Sequence, residues 1–399
     1  MISVQKDIKT VYESMKPILL LSKLAGVCTL TSKKHIEEVG RSKLLTVIQI
    51  LILLISMAHL GFIPYAVIYI EEMPEISLKL NSTLEQTGAL SSQKFITKMA
   101  NIVLISIMSI LVRFSNLIHM PKYLPPLLVE IQNVDIIIPS LDNSDFRRNI
   151  ILSMLLLIVS WPYQIYSILI VTTDNWMAFL MFYLNLYNNF SIISCEFQFA
   201  SLCWIVQSRF ERLIHNLEDI HNKHYIENGN LVLTKLATTK RYTRLMTKAF
   251  SKLNKLHGFQ LLVILAGLSL NVLFGLYFTI FGGFTKNSNK TSATFQKISN
   301  VINEVLWSVY YLARFVFICV VAEIVTHKAN TPKKIICNIL NKTSSEHLQQ
   351  ELWTFLSHTM VNKLVFTASG FFRINKALIT SAVSMGTTYL VILAQFQNK

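Results

Sequence analysis

The sequence predicts an all-α, polytopic membrane protein with seven transmembrane helices, on three observations. Hydrophobic residues make up 52% of its 399 positions and charged residues only 15%, where soluble domains average about 25% charged. The apolar residues come in long blocks, several of them long enough to cross a hydrocarbon core of roughly 30 Å at ~1.5 Å per residue. The chain carries 37 Lys and Arg against 22 Asp and Glu, a net charge of +15, and the basic residues gather beside those blocks. In a soluble chain that charge would point to nucleic acid. Beside apolar spans it is what orientation by positive charge requires, and no nucleic-acid partner is expected.

The elements follow in order. Residues 1–43 form a basic cytoplasmic N-terminal segment with Lys6, Lys9, Lys16, Lys23, Lys33, Lys34, Arg41 and Lys43. Its apolar part, Pro17 to Leu30, is interrupted by Ser22, Lys23 and Gly26 and has no suitably placed small-residue cleavage site. It reads as a cytoplasmic or interfacial helix packed on the bundle, not as a signal peptide. Residues 44–325 hold spans one to six. Span one runs about Leu44 to Ile70 and ends at an acidic loop with Glu71, Glu72, Glu75 and Glu85. Span two runs about Phe95 to Leu117, span three about Asn149 to Val171, and span four about Trp176 to Val206.

The polar cytoplasmic segment 207–256 carries ten Lys and Arg residues and much helical periodicity, so spans four and five are expected to continue into the cytosol as extended helices. Span five runs about His257 to Phe281 and span six about Val301 to Val325. Residues 326–375 form a second cytoplasmic segment with a helix over 348–369, broken by Gly370 to Asn375. Residues 376–399 hold the seventh span.

Counted by parity, segments one, three, five and seven hold nearly all the Lys and Arg. The N-terminus is therefore expected in the cytosol and, with seven spans, the C-terminus outside. A membrane crossing by helix 348–369 would return it inside. Two sequons, at Asn81 and Asn289, fall in loops placed outside, where glycosylation is possible. No extracellular disulfide is expected: Cys28, Cys195, Cys203, Cys319 and Cys337 all fall in spans or cytoplasmic segments. No His/Cys spacing resembles a metal site, and no cofactor is expected.

The last span is apolar but not uniformly so. Thr380, Ser384, Thr387 and Gln395 fall within one narrow stripe at ~100° per residue, with Tyr389 and Phe396 opposite. Lipid cannot satisfy such a stripe, which must face protein or water. It can mediate helix-to-helix packing through small polar residues or line a hydrated pore. Charges within spans, Arg113, Glu196 and Arg314, need a partner or water at depth. Glu196 and Arg314 both sit past the midplane toward the cytosol, consistent with a structural pair or with coupling between a pocket and a pore.

Aromatic residues gather in the outer halves of three spans: Trp161, Tyr163 and Tyr166; Trp176 and Tyr183; Trp307, Tyr310 and Tyr311. They can wall a site for small amphipathic ligands, though Trp and Tyr also collect at membrane interfaces. Seven spans alone would fit a G-protein-coupled receptor, but that class has its N-terminus outside. No transporter-like repeat, Walker sequence, zinc-protease pair or nucleophile elbow is present, so no enzyme is expected.

Thr388 and Tyr389, five apolar residues, then Gln395 and Phe396 resemble the C-terminal signature of the insect gustatory receptors. Lys16-Pro17 with Gly26, Leu253-Asn254-Lys255 with Gly258 to Leu262, and Gly370-Phe371-Phe372 resemble further segments of that family in the same order. The resemblance implies a ligand-gated, nonselective cation channel for small-molecule tastants in the plasma membrane of sensory neurons. It implies homotetramers or heterotetramers with related receptors, surrounded by lipid, each subunit giving its seventh helix to a central pore. Thr388, Tyr389, Gln395 and Phe396 take the family's pore and gate positions, with the Gln-Phe end at the extracellular gate. Bitter or other aversive ligands are the default expectation. A sugar or pheromone receptor, an internal-tissue chemosensor, or a receptor signalling through a separate transducer stand as alternatives.

Overall fold

The computed structural model describes residues 15–32, 39–72, 90–138, 176–223, 229–277, 279–280, 291–343, 345–361 and 363–397. Residues 15–24 form a short helix, α1. A two-stranded hairpin, β1 (Leu30–Ser32) and β2 (Val39–Arg41), pairs Leu30 with Arg41 and leads into α2, Lys43–Glu72. The long helices are α3 (Leu90–Ile137), α4 (Trp176–Lys223), α5 (Gly229–Tyr277) and α6 (Thr291–Lys342). Then come α7 (Glu346–Val361), the hairpin β3 (Thr367–Ala368) and β4 (Phe372–Arg373), and α8 (Lys376–Gln397).

Among the described residues, α2 to α6 are each long and apolar enough to cross a membrane, and Lys376–Ile392 is a shorter apolar stretch of α8. Expected span three, 149–171, lies outside the described residues. Helices of 48, 48, 49 and 52 residues extend about 70–80 Å, more than twice the hydrocarbon thickness. Spans four and five thus run on as continuous helices, as their periodicity predicts, and the polar segment 207–256 lies largely on α4 and α5.

Outside the membrane-length parts these helices form a packed bundle with charged ties. Asp135 at the end of α3 takes Arg209 Nη2 at 2.9 Å and Arg212 Nη1 at 3.2 Å from α4. Cations suit that place, where the last carbonyls of α3 leave a partial negative charge. Lys252 of α5 donates to Glu130 at 2.9 Å and to the Pro126 carbonyl at 3.1 Å.

The helix expected over 348–369 is shorter. It ends at Val361, because the chain beyond it folds back as β3 and β4 and docks on α5. Ile374 N donates to Phe366 O at 3.0 Å, and Ser369 (φ 51°) and Gly370 (φ 85°) occupy left-handed conformations that make the reversal. Phe366, fully buried, packs on Phe250 at 4.4 Å and Phe199 at 5.4 Å between ring centroids. That burial anchors the turn from which α8 rises.

Candidate functional site: the outward face of the last helix

The base of α8 is fixed by three elements. Asn375 Oδ1 accepts from Leu378 N at 3.1 Å, capping the helix locally. Glu323 Oε2 of α6 accepts from Lys376 N at 3.2 Å, placing a carboxylate at the positive end of the helix. The preceding hairpin is clamped by Asn254 of α5, whose Oδ1 accepts from Thr367 N at 3.0 Å and whose Nδ2 donates to Thr367 Oγ1 at 3.3 Å. One turn on, Gly258 lets the hairpin backbone approach: a Cβ there would lie 3.3 Å from Ser369 N and 3.4 Å from Thr367 O. Two sequence motifs far apart in the chain, around Asn254–Gly258 and Gly370–Phe372, therefore form one joint.

Above the joint, among the described residues, α8 rests on its own subunit by one face only. Leu378, Ile379 and Ala382 pack on the core, and Gly386 faces Leu273 of α5 at 3.9 Å from the position of a Cβ. At ~100° per residue these positions lie opposite the polar stripe. Thr380, Ser384, Thr387, Thr388 and Gln395 are all exposed, turned away from the subunit. Tyr389, opposite the stripe, is about half exposed, while the Phe396 side chain lies outside the described residues.

The hydroxyls on this face donate inward. Thr380 bonds Ala377 O at 2.9 Å, Thr387 bonds Val383 O at 2.8 Å, and Thr388 bonds Ser384 O at 3.0 Å. With these three O–H groups spent on the helix, their oxygens present lone pairs outward, an edge that suits a hydrated cation better than an anion.

The intramembrane charges separate into two sites. Glu196 of α4 meets Arg314 of α6 in a two-point pair, Nε to Oε2 at 3.0 Å and Nη2 to Oε1 at 2.7 Å, and Nη1 donates to Asn189 Oδ1 at 3.1 Å. Arg113 joins neither residue. It is fully buried against α2 and α4, where it donates to Ser56, to Asn188 Oδ1 at 3.1 Å and to Ser191 Oγ at 2.5 Å.

The aromatic residues separate too. Trp307, Tyr310 and Tyr311 form one cluster with ring centroids 5.6–5.8 Å apart. Arg314 lies 5.4 Å above Tyr310, linking the cluster to the ion pair. Tyr183 on α4 is 57% exposed. Trp176 begins α4, its side chain outside the described residues. Trp161, Tyr163, Tyr166, Asn81 and Asn289 lie outside the described residues altogether.

The chain sequence had given no role to Asn188 or Asn189. Their signal was available: two adjacent amides in an apolar span point about 100° apart and so serve different partners. Asn188 takes Arg113 and Asn189 takes Arg314.

The profile of the 7tm chemosensory receptor family matches residues 15–399. The chain belongs to that family. It is 29% identical over 154 residues to putative gustatory receptor 28b of Drosophila melanogaster, covering 39% of this chain and 32% of that one. It is 25% identical over 183 residues to the Drosophila gustatory receptor for sugar taste 43a, covering 46% of this chain and 40% of that one. The matched stretches thus span less than half of these relatives. In structure, the chain is similar to the insect olfactory receptor OR5 from Machilis hrabei, at TM-score 0.71 and 13% identity over 98% of this chain and all of that one. It is also similar to the same receptor in complex with eugenol, at TM-score 0.68 and 14% identity over 98% of this chain and all of that one. That likeness shows the fold. This member of the chemosensory receptor family is a multi-pass membrane receptor, not an enzyme.

Proposed function

We propose that this receptor is a ligand-gated, nonselective cation channel that responds to small-molecule tastants. The observation that carries the reading is the α8 face. A stripe of hydroxyls and an amide turned away from its own subunit has no place against lipid. Four copies around one axis would give it water, with the outward lone pairs favouring cations. Among the described residues the subunit's own helices meet the opposite face, so packing of the stripe would need another subunit. The N-terminus lies in the cytosol and the C-terminus outside, by the distribution of basic residues. The complex sits in the plasma membrane of sensory neurons, as a homotetramer or with related subunits.

The Trp307, Tyr310 and Tyr311 cluster is the ligand wall best supported, since it is aromatic and partly polar and joins the Arg314 pair. The fold relative holds eugenol, a small molecule of the class such a wall suits. Bitter or other aversive compounds are the default ligands. At the outer end of α8, a small rotation exchanges Phe396 for Gln395 at the axis, so that an apolar ring closes by dewetting and an amide ring admits hydrated ions.

The test is expression in cells lacking other receptors, with related subunits supplied, against a tastant panel. The expected result is a ligand-evoked current carried by both Na⁺ and K⁺, with altered conductance or gating in Gln395→Ala. A response that requires a separate transducer and carries no current through the receptor would overturn the reading.

A further inference from the structure

Arg113 is a buried cation without an acid. It is 0% exposed, and among the described residues its partners are neutral: Ser56, Asn188, Ser191 and the face of Tyr187, 4.9 Å below the guanidinium. A lone charge at this depth is costly unless something balances it.

The balance lies at the end of α1. That helix closes with a Schellman turn. Gly26 takes the left-handed conformation (φ 67°), Gly26 N donates to Lys23 O at 3.0 Å, and Val27 N donates to Ser22 O at 2.8 Å. The turn satisfies the carbonyls of Ser22 and Lys23 and leaves those of Leu24 and Ala25 free. Both are taken by α4. Tyr187 Oη donates to Leu24 O at 3.1 Å, and Ser191 Oγ donates to Ala25 O at 2.8 Å. Arg113 itself touches both of these side chains. Ser191 accepts from the guanidinium and donates its own hydrogen bond to Ala25 O, while the Tyr187 ring lies beneath the charge.

We propose that this arrangement is an intramolecular docking site for the N-terminal helix, in which the negative end of the α1 dipole serves as the counter-charge of Arg113. Gly26 lets the turn approach closely, since a Cβ there would lie 2.9 Å from Ile52 of α2 and 3.3 Å from Tyr187 Oη. The other face of α1 is exposed at Leu20 and Leu24, so the helix is held chiefly by its inner face and this end. Arg113 is thus a positioning residue: it fixes the N-terminal segment to α2, α3 and α4. The inference does not rest on the channel reading.

Cys28, buried just beyond the turn, is a native reporter of docking. The full chain in membranes is treated with N-ethylmaleimide, and labelling at each cysteine is read by mass spectrometry. The double variant Tyr187→Phe, Ser191→Ala keeps Arg113 but removes both donors to α1. Losing both bonds to the helix-end carbonyls, the one to Ala25 O buried, should raise the labelling rate of Cys28 about tenfold or more. Arg113→Met should do the same, whereas Cys203 and Cys319, fully buried in α4 and α6, should stay protected in both variants. Cys28 as protected in the double variant as in the wild type would overturn the proposal. Equal labelling of Cys28, Cys203 and Cys319 in that variant would overturn it too, because the whole bundle would then have opened and not the α1 dock.

Discussion

Glu196 and Arg314 join α4 to α6 by two parallel hydrogen bonds, at 3.0 and 2.7 Å, inside the bundle. The pair is almost completely desolvated, with side chains 4% and 10% exposed. Removing one partner strands a buried charge, which costs about 3–5 kcal/mol, while replacing both with apolar residues of similar volume is often neutral. Arg314→Ala should therefore lower the thermal midpoint of the detergent-solubilised receptor sharply. Glu196→Leu with Arg314→Met should recover most of the loss. Equal damage from the single and double changes would mean that the pair is not the source of the effect.

The joint beneath α8 gives a second prediction. Asn254→Ala deletes both bonds to Thr367, a loss of about 1–3 kcal/mol, and Gly258→Ala forces the hairpin backbone outward by a few tenths of an ångström. Both changes should raise basal current and shift ligand dose-response curves at unchanged surface expression, Asn254→Ala the more strongly. Asn254→Asp, which keeps the acceptor for Thr367 N, should fall between it and the wild type. Dose-response curves identical for all three would show that the joint does not set the position of the last helix.

The end of the bundle that holds α7 should be acid-sensitive at one point. Glu351 of α7 is hydrogen-bonded and ion-paired to Lys240 of α5, which holds its carboxyl below the usual carboxylate range. A carboxyl lowered on folding contributes stability above its unfolded pKa and loses it as pH falls through the folded value. Amide exchange in α7 should quicken below about pH 4, modestly, because the pair is partly exposed to solvent. In Glu351→Gln the protection of α7 should be lower at neutral pH and show less change on acidification. An unchanged pH profile in that variant would exclude Glu351 as the titrating group.

For the aromatic cluster, Tyr310→Ala removes a ring 5.6 Å from Tyr311 and 5.4 Å from the Arg314 guanidinium. The change should move ligand EC50 by about tenfold, the worth of one aromatic contact with a cation–π share. Single-channel conductance should stay unchanged, since the residues proposed to face the pore lie on a different helix, α8. A changed conductance with a fixed EC50 would reassign Tyr310 to the pore path.

Much of this was legible in the chain because lipid enforces simple rules. The apolar blocks located α2, α3, α4, α5 and α6, and the period of Thr380, Ser384 and Thr387 identified an outward face that the structure shows exposed. What composition could not give was tertiary. Helix 348–369 was expected too long because Leu364 and Phe366 read as helical apolar residues, whereas both are buried in the hairpin packed on α5. Arg113 was expected to need a partner or water at depth, and the counterpart proposed for it is a helix end, which offers carbonyls and no acidic side chain. Periodicity registers side chains and not carbonyls, so such a partner leaves no mark in the residue pattern.

The placement of the hydroxyl face of α8 against water is tested most directly by cysteine modification during recording. Thr387→Cys and Leu390→Cys lie three residues apart, the first exposed and the second partly covered by the subunit. A charged methanethiosulfonate reagent applied with ligand should block current irreversibly in Thr387→Cys and leave Leu390→Cys untouched. Block at Leu390→Cys with none at Thr387→Cys, in receptors that both conduct, would contradict it.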